Sequence, residues 1–293
     1  RFAEHFHSSE NTDLILVALQ GMRDCSNYST QVAATMMAAL MDNFKPTPDD
    51  VQRIVTAIQR SRKMTTAMRA QRIIQDGLPW LAASDPHSVT LSLLCCSPTC
   101  DKDTWELWEM VLSSVDVAPQ MAQELLQQLE MAPLSQETEI GTLPLAATIA
   151  LHEIMQHSRY DPQEHQFFPE LFVALIFQMV SSGARTPTEV RAITAGPFCP
   201  SAPTSAFRIV VEVLRNLLQC AGLDRLAHSM DRHELWGQLL GAATWRDGLR
   251  TLARLMARNS WHQCTPIFSH VQKLLQYHQL QWREVPAMVF YVE

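Results

Sequence analysis

Residues 47–58 read TPDDVQRIVTAI. Val51, Ile54, Val55 and Ile58 stand at i, i+3, i+4 and i+7, the spacing of one face of an α-helix. Thr47 occupies the N-cap, where a side-chain oxygen accepts from an orphan N–H of the first turn. Pro48 takes the first helical position, where a missing N–H loses no bond. The same start recurs at Asp85-Pro86, Asp161-Pro162, Thr186-Pro187 and Thr265-Pro266, each before an apolar stretch of helical period. Asp161 with Glu164 and Thr186 with Glu189 also match the capping box. Punctuation repeated in this way predicts many short helices in succession.

Apolar stripes follow one another on both sides of this stretch. Leu14, Val17, Ala18 and Met22 form a first face, and Val32, Met36, Ala39 and Leu40 a second, in a helix starting near Ser29. A fourth helix carries Met64, Met68, Ile73 and Ile74 and is expected to end near Gly77, a C-cap residue type. Trp105, Trp108, Leu112 and Val115 follow, then Met121, Leu125, Leu126 and Leu129, then Leu145, Ile149, His152 and Met155. The run Phe167–Val180 is apolar nearly all round, which predicts a fully buried central helix. Phe207, Val210, Val211, Leu214, Leu217 and Leu218 give the cleanest amphipathic pattern. Leu235, Trp236, Leu239 and Leu240, then Leu249, Leu252, Ala253 and Met256, then Ile267, Val271, Leu274 and Leu275 complete the series.

Starts lie about 15–22 residues apart, so a helix pair spans roughly 35–45, the range of HEAT and armadillo repeats. Such hairpins cannot bury an apolar face alone and must stack. With 9 glycines, 4 tyrosines and few β-branched runs, strands are not expected, and helix content should far exceed the roughly one third typical of globular chains. The fold class that follows is all-α, an α-solenoid of HEAT/armadillo-like helix pairs over residues 1–293. Residues 195–205 (AGPFCPSAPTS) read as a bend or long loop, and the region around Cys95-Cys96-Ser97-Pro98 as a second irregular patch. The chain opens on Arg1, and an apolar stretch follows Pro286 closely at the end, so the chain reads as part of a longer repeat protein.

Several activities are disfavoured. A net charge of −7 argues against nucleic-acid binding, which needs a basic footprint. The run 167–180 is shorter than the ~20 residues a bilayer-spanning helix needs. His152-Glu153-Ile154-Met155-Gln156-His157 places its histidines at i and i+5, not the i and i+4 of a zinc-binding helix. Cys95, Cys96 and Cys100, with His87, lack a second ligand pair at zinc spacing and read as buried free thiols. Seven cysteines, an odd count, suit a reducing cytoplasm. No nucleophile elbow, phosphate loop or dinucleotide fingerprint occurs. The expectation is a non-enzyme without metal or cofactor. Gly237 and Gly241 read as a close helix–helix contact in a protein core.

Arginines stand out instead. Arg246, Arg250, Arg254 and Arg258 repeat every fourth residue and drift by about 40° per step, making a slanting stripe on one helix. Guanidinium groups pair bidentately with carboxylates, so the stripe is a candidate dock for acidic segments of partner proteins. A plain solvated face is the competing reading. A weaker candidate is Arg60, Arg62, Lys63 and Arg69, near a helix–helix turn without acidic residues between Val51 and Gln75. That cluster suits an acidic peptide or an anionic lipid surface.

Two stretches resemble the maestro HEAT-like repeat family. One is residues 168–178, FPELFVALIFQ; the other runs from Trp236 through WRDGLRTLARLM (245–256) into residues 284–293. The matching residues are packing residues of the second half. The resemblance implies an armadillo-like helical repeat within a longer protein and carries over no catalytic or binding residue. The functional reading is a protein–protein interaction scaffold; the alternative is a membrane-peripheral module using the basic turn.

Overall fold

The computed structural model describes residues 7–23, 27–41, 46–97, 100–131, 142–157, 167–181, 206–259, 261–277 and 281–291. The starts at Asp161 and Thr186 and the segment 195–205 lie outside them. Every described element is a helix: α1 Ser8–Gly21, α2 Asn27–Met41, α3 Pro48–Met64, α4 Met68–Ser84, α5 Pro86–Cys96, α6 Lys102–Leu112, α7 Ala118–Met131, α8 Thr142–His157, α9 Phe168–Ser181, α10 Ala206–Cys220, α11 Asp224–Arg232, α12 Leu235–Leu240, α13 Trp245–Asn259, α14 Trp261–Tyr277 and α15 Gln281–Tyr291. The fold is all-α, of the helical-repeat class. Its contacts divide it into two compact units, Arg1–Leu125 and Leu126–Glu293.

In the first unit, hairpins α1/α2, α3/α4 and α5/α6 stack in two layers. Helices α1, α3 and α5 pack side by side in one, and α2, α4 and α6 in the other. Local chemistry sets the starts. Thr47 Oγ1 accepts from the Asp50 N–H at 3.4 Å, and Asp50 Oδ2 accepts from the Thr47 N–H at 3.2 Å, a reciprocal cap. Asp85 serves two helices at once. Its N–H donates to the Leu81 carbonyl, ending α4, while its carboxylate accepts from the Ser88 N–H, opening α5. A single residue therefore makes that turn. Between α1 and α3, buried hydroxyls complete the helix end: Ser61 donates to the Leu19 carbonyl at 3.1 Å and Thr65 to the Met22 carbonyl at 3.2 Å.

The second unit is centred on α9. Every residue from Leu171 to Val180 is buried, as the apolar run predicts, and α10, α12, α14 and α15 all pack on it. Gln178, inside that core, donates from Nε2 to the Leu129 carbonyl. Helix α10 ends in a Schellman motif. Gly222 is left-handed at φ 66°, and the Leu223 N–H reaches the Leu218 carbonyl at 2.8 Å. Close helix contact is made by Gly248: a methyl group there would sit 3.1 Å from the Leu239 backbone nitrogen. The sequence had suggested Gly237 and Gly241 for that role; the approaching backbone belongs to their own helix, and the room for it is on α13.

Several expectations are corrected. Thr265-Pro266 does not open a helix, because α14 begins at Trp261 and carries Pro266 within it. Pro286 likewise lies inside α15, which starts at Gln281. Gly77 is no C-cap; it is buried within α4, where an added Cβ would meet Met37 Cε at 2.8 Å. Met64 and Met68 belong to different helices and are both exposed. Cys95 and Cys96 lie at the end of a helix, with Cys95 exposed; only Cys100 of that trio is buried. Val17, Val32, Ala39 and Val115 face solvent, and the buried residues of α1 and α2 include Ile15, Leu19, Ala34 and Met37 instead. In α8 the core falls on Ala147, Ala150, Leu151 and Ile154, with Leu145 and Ile149 half-exposed; His152 is buried.

Candidate partner-binding site

Helix α13 divides cleanly. Leu249, Leu252, Ala253 and Met256 are buried against the second unit's core, with α12, α11 and α15 among the helices packed on it. Arg246, Arg254 and Arg258 are exposed on the other side, and Arg250 is half-exposed between them. Over twelve residues at 1.5 Å rise the stripe extends roughly 18 Å. Arg246 and Arg250 make contacts within the helix. Arg246 lies 4.8 Å over the Trp245 ring. Arg250 Nη1 pairs with Asp247 Oδ1 at 2.9 Å, one turn back. Both contacts are within α13 and hold their guanidinium groups along the helix surface. Such an array can recognise carboxylates; it carries no nucleophile or acid–base pair.

The weaker cluster is dispersed. Arg62 pairs with Glu106 and Lys63 with Asp103, both on α6. These acidic partners come from another hairpin, so the absence of acid near Val51–Gln75 in sequence hid the pairing. Arg60 is exposed, and Arg69 is exposed beside α2, with Nη2 3.5 Å from Thr35 Oγ1. The ion pairs join α3 to α6 and reduce the positive charge this turn offers to an anionic surface.

Other polar groups are structural. Among the described residues no three His, Cys, Asp or Glu side chains converge as a metal site. His152 Nδ1 lies 3.3 Å from Glu153 Oε1 within a buried setting. Asp231 accepts from Trp236 Nε1 at 2.7 Å and pairs with Arg215 at 3.0 Å, while Arg215 stacks 5.5 Å over the Trp236 ring. Burial raises the Cys264 thiol to about 11, which keeps it protonated and unreactive. Among the described residues no helix is long and apolar enough to cross a membrane.

One surface escaped the sequence reading. Tyr28, Val32, Thr35, Met36 and Ala39 of α2, with Arg69 of α4, line a groove of about 490 Å³. Val32, Met36 and Ala39 had been assigned to the core. The available signal was the complete lack of charged residues in α2, which leaves its outward face unmarked.

Comparison with known proteins agrees with this architecture. A family model described as Maestro, HEAT repeats matches residues 1–122. The match falls in the half where the sequence had offered helical period without a signature. The chain is 24% identical over 262 residues to Maestro heat-like repeat-containing protein family member 1 of Bos taurus, covering 84% of this chain and 16% of that protein. It is 22% identical over 275 residues to family member 9 of Homo sapiens, covering 90% of this chain and 45% of that protein. It is 23% identical over 296 residues to Maestro heat-like repeat family member 5 of Homo sapiens, covering 96% and 22% respectively. The chain therefore spans less than half the length of these relatives. No solved structure matches.

Proposed function

We propose that this chain, similar along most of its length to Maestro HEAT-like repeat proteins, is a non-enzymatic protein–protein interaction scaffold of the cytoplasm. Its partners carry acidic segments, and the dock is the arginine face of α13. The observation that supports this is the division of that helix: a fully buried apolar face set against exposed Arg246, Arg254 and Arg258. The fixed positive ridge stands on a chain of net charge −7. Local charge opposite to the overall balance steers acidic partners toward one place and makes the encounter salt-dependent.

A photo-crosslinking residue at position 258, compared with the same residue at exposed position 276 on α14, tests the reading in cell extract. The expected result is a partner adduct at 258 whose cross-linked peptide is rich in Asp and Glu, absent at 276. Equal labelling at both positions, or neutral and basic peptides at 258, would overturn it.

A further inference from the structure

The groove on the first unit is chemically unlike the arginine stripe. Its floor is apolar and its rim carries one cation. Tyr28 is 79% exposed and Val32 50%, so neither contributes to the core. With Met36 they step along α2 at four-residue intervals, about 6 Å apart along the helix axis. From Asn27 to Met41 the helix has no charged residue. Arg69 closes the groove from α4, with a neutral hydroxyl at 3.5 Å as its contact there. None of the lining residues is acidic. Scattered exposed apolar side chains are ordinary on a protein surface, but a concave row of them beside a cation is not.

We propose that this groove docks an amphipathic helix of a partner protein, with apolar anchors against Tyr28, Val32 and Met36 and an Asp or Glu of the partner on Arg69. The spacing matches the i, i+4, i+8 ridge that a helix laid alongside α2 would present. A carboxylate supplies the bidentate acceptor that the guanidinium lacks within the groove. An added strand has nothing to pair with, since the groove walls are helices whose backbone groups are bonded internally. A lipid surface needs a cluster of four or more cations, and the groove holds one. A second copy meeting groove to groove would bring no carboxylate to Arg69, because none of the lining residues is acidic. The site lies in the other unit from the arginine stripe and stands or falls separately from it.

The test uses the full 293-residue chain and a phage library of helix-scaffolded peptides about 16 residues long. Selected peptides are expected to carry apolar residues three or four apart with Asp or Glu flanking them. Val32→Glu should weaken their binding at least tenfold, and Arg69→Glu at least fivefold, with recovery when the peptide acid becomes Lys. Both positions are exposed, so the helical spectrum should hold; Val32→Gln serves if Val32→Glu does not fold. The proposal is overturned if no peptide is enriched over an unrelated helical protein, or if enriched peptides bind the variants as they bind the parent. It is also overturned if Val32→Glu abolishes self-association in sedimentation, or binding to vesicles of phosphatidylcholine and phosphatidylserine, since each assigns the groove a different occupant.

Discussion

Arg283 of α15 meets Glu130 of α7 across 2.8 Å, with the arginine side chain only 3% exposed. A charge taken that far from water needs its counter-charge in place. Glu130→Gln keeps the shape and removes the charge. It should destabilise the second unit by about 3 kcal/mol, because a buried guanidinium loses the carboxylate charge set against it. The double variant Arg283→Met with Glu130→Gln should recover much of that loss. Denaturant melts of the three proteins give the comparison; an unchanged Glu130→Gln would show the pair contributes nothing.

The reciprocal cap at Thr47 and Asp50 gives a second expectation. Thr47→Ala removes the acceptor for the Asp50 N–H and the hydroxyl that Asp50 Oδ2 holds at 2.6 Å. The cost should be about 1–2 kcal/mol. Pro48 remains at the first helical position, so the helix should persist and only its start should loosen. Amide exchange in the first turn of α3 would report this directly.

Leu214 is wholly buried on α10, as are Val210, Leu217 and Leu218. Leu214→Ala removes packed methyl groups and leaves a cavity, for an expected loss of about 2–5 kcal/mol. A loss under half a kilocalorie would place that face on the surface and contradict the phasing of the helix. The Phe207 side chain, part of the same predicted face, lies outside the described residues.

Acid should weaken the second unit through His270. Burial, with Arg283 and Lys273 adding repulsion, lowers this imidazole from 6.5 to about 4. Glu170 Oε1, at 3.8 Å, is too far to hold the proton by a hydrogen bond. The folded state therefore resists protonation more than the unfolded chain does. Its contribution is complete above the ordinary value and is lost progressively as pH falls from about 6.5 toward 4. The melting temperature of His270→Gln should fall less between pH 7 and pH 5 than that of the parent; parallel slopes would contradict this.

Legibility in the sequence followed the distribution of charge. In α3 and α13, polar and charged residues mark the wet face, and the apolar sets read from spacing are the ones buried. Helices α1, α2 and α8 lack such markers through their middle turns, so period alone could not say which apolar side faces water. Val17 and Val32 went to the wrong side for that reason. Proline misled where a helix had already begun: Pro266 and Pro286 sit a turn and a half inside theirs, where the helix keeps its other bonds. The arginine stripe was readable because all four residues lie on one helix. The groove was not, because Thr35 and Arg69 stand 34 residues apart and only the stacking of α2 on α4 brings them together.

Capture of acidic partner segments, as proposed for the arginine face of α13, requires the positive charge of its exposed side chains. Charge reversal at Arg254 and Arg258 removes that charge without disturbing the core, since both side chains are exposed. Partners retained by the parent chain would be measured against Arg254→Glu/Arg258→Glu over a range of salt, with the helical spectrum and melting temperature as controls. Binding should be at least tenfold weaker in the variant, with the salt dependence of the parent largely gone. Equal affinity at every salt concentration, in a variant that folds like the parent, would contradict it.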